Sequence, residues 1–408
     1  MLEINGKYNS AKIYTDNIDE GTKEQITLLC NQSSFKNSKI IIMPDCHVGK
    51  GCVIGNTMTI QDKIIPNFVG VDIGCGLSMI PFYAKNIDFD KLDSVIKTYV
   101  PYGFKIHNKS KKDVLDIFNI NLEDIKCYVN IDRAYKSLGT LGGGNHFIEV
   151  DKDKNNNTFL VVHSGSRHLG LEVANAYQNM AVKYNSLKYK TEKNKLIKLM
   201  KEQGLEYDIE NKLGTIPKPP VDDLCYLEGD LMREYLYDMQ IVQQFASINR
   251  TLILAEISYN YYNVKDMSFK DWCEMIHMSK DESIHNYIDL KNKILRKGAI
   301  SALNGEFVII PINMKDGTII GTGKGNIDWN YSSPHGAGRL LSRREAKKQL
   351  NLNTFKKEME GIFTTCINEQ ILDEAPGAYK PIDNTINNIK DTVKIKDIIK
   401  PIYNFKAQ

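Results

Sequence analysis

The 408-residue chain contains no apolar run near the roughly 18 residues that a membrane span requires, and its N-terminus, MLEINGKYNSAKIY, lacks the basic-then-apolar pattern of a signal peptide. The expectation is a cytoplasmic protein with no membrane partner. Charge of one sign is missing too: 53 Lys+Arg against 50 Asp+Glu leave +3, so no bulk charge demands a nucleic acid, and any polyanion must be held locally. There is no internal repeat, low-complexity tract or Pro/Ser linker to mark a domain cut. With 42% hydrophobic and 25% charged residues, the simplest organisation is one mixed α+β domain over residues 1–408. The Walker A pattern is absent, and GTGKGN at 321–326 is neither that nor G-x-G-x-x-G, so the common nucleotide folds are not indicated. The eight cysteines (30, 46, 52, 75, 127, 225, 273, 366) are scattered through a long chain without an export signal, which makes them free thiols or ligands rather than a disulfide framework.

What is present is a first half of short β-rich runs broken by glycine. KIIIMPD (39–45), CVIGNTMTI (52–60), FVGVDIG (68–74), HFIEV (146–150) and FLVVHSGS (159–166) read as strands. From about Leu171 to Tyr262, Leu224, Leu227, Leu231, Tyr235, Val242, Phe245 and Leu252 recur at helical spacings, which predicts two or more amphipathic helices around the polar loop EQGLEYDIENKLGTIPKPP. Strand signals return at 307–312 and 318–323, and a basic helix is expected to start near Ala337 and run through RLLSRREAKKQL.

Five of the eight histidines (His47, His146, His163, His285, His335) sit in short motif-like segments. In GVDIGCG (70–76), Asp72 and Cys75 lie three apart in a glycine turn, a spacing that lets a carboxylate and a thiolate meet one cation; alone, the segment fits a buried cysteine in a turn better. His146 in GTLGGGNHFIEV, His163 in VVHSGSR and His285 in IHNYID could join them only in the fold, giving a mixed O/S/N site. Ligand softness favours Zn²⁺ there, with Mn²⁺, Fe²⁺ and Co²⁺ as alternatives. In SSPHGAGR, small residues after His335 let a phosphate approach the imidazole, with Arg339, Arg343, Arg344, Lys347 and Lys348 following on the expected helix. His335 is thus a candidate nucleophile, against the reading of a turn followed by a solvated basic face. In MPDCHVGKG (43–51), Asp45, Cys46 and His47 are too close in sequence to ligate one ion together, so they are expected to support ligands or contact phosphate.

In order, MPDCHVGKGCVIG, GVDIGCG, GTLGGGNHFIE, HSGSR, FASINR, HNY, RKGAISA, SPHGAGRLLSR and AYKPID resemble the motifs of the RtcB family of RNA ligases, from about residue 40 to the C-terminus. The resemblance implies a single large domain with central β-sheets and surrounding helices. It implies a GTP- and Mn²⁺-dependent ligase, with two ions, that joins RNA ends carrying a 3′-phosphate or a 2′,3′-cyclic phosphate to 5′-hydroxyl ends in tRNA splicing or RNA repair. Matched by motif, Asp72, Cys75, His146, His163 and His285 would be metal ligands, Asn145 would contact nucleotide phosphate, and Glu149 the guanine. His335 would take up the guanylate, Tyr379 and Lys406 would lie at the guanine, and Arg167 and Arg339 would stabilise charge. An archease-type activator serves some members. RNA would be gripped by local cations, with KNKILRKG (291–298) a candidate and a solvated surface the alternative.

The chain departs from the family where many members carry Pro-Gly-Ser-Met-Gly: PINMKDG places Ile312, Asn313 and Lys315 at positions usually Gly, Ser and Gly, which changes the loop's backbone and bears on guanine preference or RNA-end choice. His168 stands where glycine is common and has no assigned role. Two other readings follow from the altered loop: a metal-dependent phosphoesterase acting on cyclic phosphates, and a noncatalytic RNA-end binder.

Overall fold

A computed structural model describes residues 1–84 and 86–407. Its architecture is mixed α and β, as expected. A six-stranded sheet runs Leu2–Asn5, Ser10–Ile13, Ile40–His47, Ile54–Thr59, Ile294–Lys297 and Asn286–Asp289. A seven-stranded sheet runs Asp281–Ile284, Gly76–Pro81, Thr158–Ser164, Phe147–Lys152, Val393–Lys406, Gly317–Gly323 and Phe307–Asn313. Within these two sheets every pairing is antiparallel except Ser10–Ile13 with Ile40–His47. Among the described residues no helix is long and apolar enough to cross a membrane.

The helical region forms two long helices, Arg167–Glu202 and Gly229–Tyr262, with the polar loop between them. The second packs against strands Gly76–Pro81 and Thr158–Ser164 of the larger sheet. Tyr235, Val242, Phe245 and Leu252 are buried as the periodicity requires, whereas Leu224 and Leu227 precede the helix, in a 3-10 turn and a short strand. From Ile248 to Ser258 every residue of this helix is buried, which leaves no solvent face in its central turns.

Two expected elements differ. The run FVGVDIG is not a strand: Pro66–Phe68 is a 3-10 turn, and the chain then loops until strand Gly76–Pro81 begins. Gly70 and Gly74 hold left-handed backbone (φ 91° and 74°), a conformation that breaks a strand although the side chains between them are apolar. The basic helix begins only at Arg343 and runs to Gln349, because Ser342 and Glu345 form a capping box that fixes its start there. Arg339 lies before it, bridged to Tyr379.

Candidate active site

Strand register brings distant side chains to one end of the seven-stranded sheet. Ile284 pairs with Gly76 and Gly76 with Ser164; Leu77 pairs with His163, His163 with Phe147, and Phe147 with Lys406. His285, Cys75, His163, His146 and Lys406 therefore lie in a row across five neighbouring strands. The His285 N–H donates to the Cys75 carbonyl at 2.9 Å, which fastens the first two together. His335 arrives from the side, following strand Ser332–Pro334, which among the described residues pairs only with Ala299–Ser301.

The donor atoms form two groups that share one thiol. Cys75, His163 and His285 make one, and Asp72, Cys75 and His146 the other, each with donor atoms within 4.8 Å of one another. Cys75 Sγ is 3.4 Å from His163 Nε2 and 3.5 Å from His146 Nε2. His146 Nδ1 donates to the Leu141 carbonyl at 2.8 Å, which turns Nε2 toward Asp72 Oδ2 at 3.1 Å. His163 and His285 are buried, and their Nδ1 atoms have no hydrogen-bond partner among the described residues. Burial, joined by neighbouring histidines, pushes both imidazoles well below their ordinary pKa, so they are neutral and able to donate lone pairs. Burial also raises the Cys75 thiol, and Asp72 adds to that. At Asp72 burial works in the same upward direction, but the contacts with His146 outweigh it and bring the carboxyl down to about 2. Mixed O, N and S donors around a shared sulfur fit divalent transition-metal ions. Gly165 is required beside them, since a Cβ there would sit 2.0 Å from Asp72 Oδ1.

The histidine rings continue toward His335: centroids are 5.3 Å apart for His146 and His163, 5.1 Å for His163 and His285, and 4.9 Å for His285 and His335. His335 Nδ1 is 2.9 Å from Asp45 Oδ2 but out of hydrogen-bond alignment, so the two are close without being bonded. Asp45, His47 and Lys50 of MPDCHVGKG all line the same cavity.

That cavity, of about 400 Å³, is lined by Asp72, Cys75, His163, His285 and His335, and also by Asn145, Glu149, Tyr379, Arg339 and Lys406. The sequence-selected residues thus converge, apart from His146 and Arg167, which lie outside the cavity lining. Asn145 is exposed at its rim. Glu149 is buried, accepts from Asn404 Nδ2 at 2.6 Å, and is pushed upward in pKa by burial. Arg167 Nε donates to Thr140 Oγ1 (2.9 Å) and Nη2 to the Gly103 carbonyl (3.0 Å). Arg339 is committed to Glu374, the Tyr379 hydroxyl and the Leu341 and Asp373 carbonyls.

The expected RNA grip at 291–298 is mostly structural. Arg296 is fully buried and paired with Asp289, and Lys297 donates from the interior to the Lys50 and Asn67 carbonyls; only Lys291 and Lys293 are exposed cations. In the PINMKDG loop, Asn313 Oδ1 accepts from the Lys315 and Asp316 amides, so the loop closes on its own side chain and Ile312 and Met314 face the cavity. His168 lies 3.5 Å from Glu172.

Sequence reading gave no role to two buried hubs. Arg250 Nη1 donates at 2.7 Å to the carbonyls of both Gly74 and Ser164, the neighbours of Cys75 and His163, while Nε reaches Glu282 Oε1 (3.0 Å) on the strand leading to His285. Asn249 accepts from the Gly139 and Thr140 amides and donates to the Gly165 carbonyl. An Asn-Arg pair inside an apolar helical run was the available signal. The second hub, Glu374, contacts Lys406 Nζ (2.8 Å), Arg343 (2.6 Å), Arg339 (3.2 Å) and the Tyr379 hydroxyl (2.6 Å); no pattern in the sequence marked it.

A family model described as tRNA-splicing ligase RtcB matches residues 29–407. Curated relatives include RNA-splicing ligase RtcB1 of Escherichia coli strain ATCC 25922, 30% identical over 386 residues covering 87% of each chain, and RNA-splicing ligase RtcB of strain K12, 29% identical with the same coverage. The tRNA-splicing ligase RtcB of Thermococcus kodakarensis is 26% identical, covering 86% of this chain and 83% of its own. With its motifs assembled at one sheet end and a match along nearly its whole length, the chain belongs to the RtcB family of RNA-splicing ligases.

Proposed function

We propose that this RNA ligase uses GTP and two Mn²⁺ ions to join an RNA 3′-phosphate, obtained where needed by hydrolysis of a 2′,3′-cyclic phosphate, to a 5′-hydroxyl through a guanylate carried on His335. One cytoplasmic unit spanning residues 1–408 does this in tRNA splicing or RNA repair, with an archease-type protein as activator. The observation that carries the reading is Cys75 shared between two ligand groups, with the His335 ring 4.9 Å from that of His285 on the same cavity.

Asp72, Cys75 and His146 would hold one ion, and Cys75, His163 and His285 the other. Divalent ions there would neutralise phosphate oxygens as charge builds on the leaving group. Asp45 Oδ2 sits 2.9 Å from Nδ1, so Nε2 is the ring nitrogen assigned as nucleophile. Nε2 attacks the α-phosphorus of GTP; the P–N bond forms as the bond to pyrophosphate breaks. An oxygen of the RNA 3′-phosphate then displaces His335 from the same phosphorus. Attack of the 5′-hydroxyl on the RNA phosphorus finally releases GMP, and this step depends on in-line positioning.

Asn145 at the rim contacts nucleotide phosphate, and Glu149 accepts hydrogen bonds from guanine, with Tyr379 and Lys406 beside it. Arg339, anchored through Glu374, stands on the cavity wall, and Arg167 lies outside the lining beside His146; each would stabilise charge from there.

The test is intact mass after incubation with GTP and Mn²⁺, with His335→Ala and ATP as controls. A GMP-sized, acid-labile adduct on the wild type alone is expected. An adduct with ATP instead would move nucleotide preference to the altered 311–317 loop, and no adduct with either nucleotide, with or without an archease-type partner, overturns the reading.

A further inference from the structure

We propose that Phe104 is a stacking platform for a base of the RNA strand, so that residues 101–105 form one wall of the RNA site. The inference rests on the RNA-ligase reading. It starts from the finding that two of the four cations at 291–298 are buried in structural roles, which leaves the RNA grip to be found elsewhere.

Phe104 is 99% exposed, more than any other large apolar side chain among the described residues. The backbone around it is held on both sides. The Gly103 amide donates to the Gly142 carbonyl (2.8 Å), the Gly103 carbonyl accepts from Arg167 (3.0 Å), and the Leu141 amide donates to the Pro101 carbonyl (2.9 Å). Tyr102, two residues before Phe104, packs edge-on against buried Phe405 with centroids 5.1 Å apart. The phenyl ring is thus presented by a loop tied down at Pro101, Tyr102 and Gly103. Loop 101–105 contacts residues 141–143, and Asn145 and His146 follow directly in the chain.

The surroundings are cationic. Lys105 and Lys109 are exposed on the same segment, and Arg133 is exposed close enough to act on the Arg167 charge. Lys105 follows Phe104 directly in the chain, with its Nζ 5.1 Å from the Tyr102 ring centroid on the same loop. One aromatic face set among cations is the pattern that holds single-stranded nucleic acid: cations track the phosphates and the ring takes a base. A protein partner would call for a broader apolar patch than a lone phenyl on a segment that carries exposed lysines. Because the ring offers no hydrogen bond to a base edge, the subsite is tolerant of base identity.

The experiment is fluorescence anisotropy of a short single-stranded RNA ending in a 3′-phosphate, with wild type, Phe104→Ala and Phe104→Trp, and with the same RNA carrying one abasic nucleotide at successive positions near the end. Phe104→Ala is expected to weaken binding by roughly tenfold or more, and Phe104→Trp to stay near wild type. At one position the abasic RNA should lose the same factor with wild type and lose nothing further with Phe104→Ala. The dependence of affinity on salt should be the same for both proteins, because Phe104 holds no phosphate. Wild-type affinity in Phe104→Ala, or equal losses at every abasic position in both proteins, overturns the proposal. A Phe104→Ala defect confined to binding an activator protein overturns it as well. Base-dependent binding through Phe104 without any His335 adduct would sink the guanylate mechanism and leave this subsite standing.

Discussion

Replacing Arg250 by methionine tests whether the ligand row is held from behind by a buried ion pair. The substitution keeps much of the side-chain volume but removes the guanidinium, stranding the carbonyls of Gly74 and Ser164 and taking from Glu282 one of its two cations. Removing one partner of a buried pair costs about 3–5 kcal/mol. Lys280 Nζ remains 2.8 Å from Glu282, which lowers the charge penalty, while the two orphaned carbonyls add about 1–3 kcal/mol each at the upper bound. We expect a net loss of about 4 kcal/mol, a large part of the roughly 5–15 kcal/mol that ordinary domains have. Urea unfolding of Arg250→Met, Glu282→Gln and the double variant measures it. The double variant should cost less than the sum of the singles by at least about 1 kcal/mol, because the second substitution removes a charge the first had stranded. The ligand row adds a separate readout: in Arg250→Met, Co²⁺ should give a weaker thiolate-to-metal absorption band, since Cys75 is no longer tethered through Gly74. A loss below about 1 kcal/mol, or strict additivity, would refute the reasoning.

Two further outcomes are expected. Glu374 is buried, and although burial opposes its charge, Lys406 and Arg343 lower its pKa from the ordinary 4.5 to about 2. Its contribution is therefore complete above pH about 4.5 and lost as pH falls through about 2, a swing of about 3 kcal/mol, so Glu374→Gln should be less stable at neutral pH and lose less on acidification; superimposable acid-unfolding differences would contradict this. In Gly165→Ala, whose backbone is not left-handed, the new methyl would sit 2.0 Å from Asp72 Oδ1 and displace that carboxylate; calorimetry with Mn²⁺ should show affinity reduced by about tenfold or more, and unchanged affinity would remove Asp72 from the ligand set.

The residues of the donor cluster stood out because they lie at strand ends, and strand ends are marked by glycine and polar residues in an otherwise apolar pattern. What brings those ends together is pairing between segments as far apart as Gly76 and Ile284, and this required the fold. The segment 68–74 misled because apolar alternation also describes a buried loop; its two left-handed glycines distinguish the cases only once φ is known. The basic run after Ala337 looked helical throughout, yet Ser342 and Glu345 place the helix start later, a capping signal that was readable in SRRE. KNKILRKG was misjudged for another reason: charge density does not reveal that Arg296 and Lys297 lie in an inner strand of the smaller sheet. Glu374 escaped notice because its four partners come from 35 residues before it to 32 after it, with no local spacing to connect them.

The way His335 is attached divides the site by stiffness. The putting-together of Cys75, His146, His163 and His285 is done by a seven-stranded ladder, whose hydrogen bonds open only with the sheet. His335 hangs from a pairing of three residues with three, and a run of small residues follows it. Under the mechanism proposed above, a group carried on its ring would be swung without disturbing the donors beneath, like work turned on a fixed bench. Any change of pose between accepting a nucleotide and surrendering it would then fall to that one short arm.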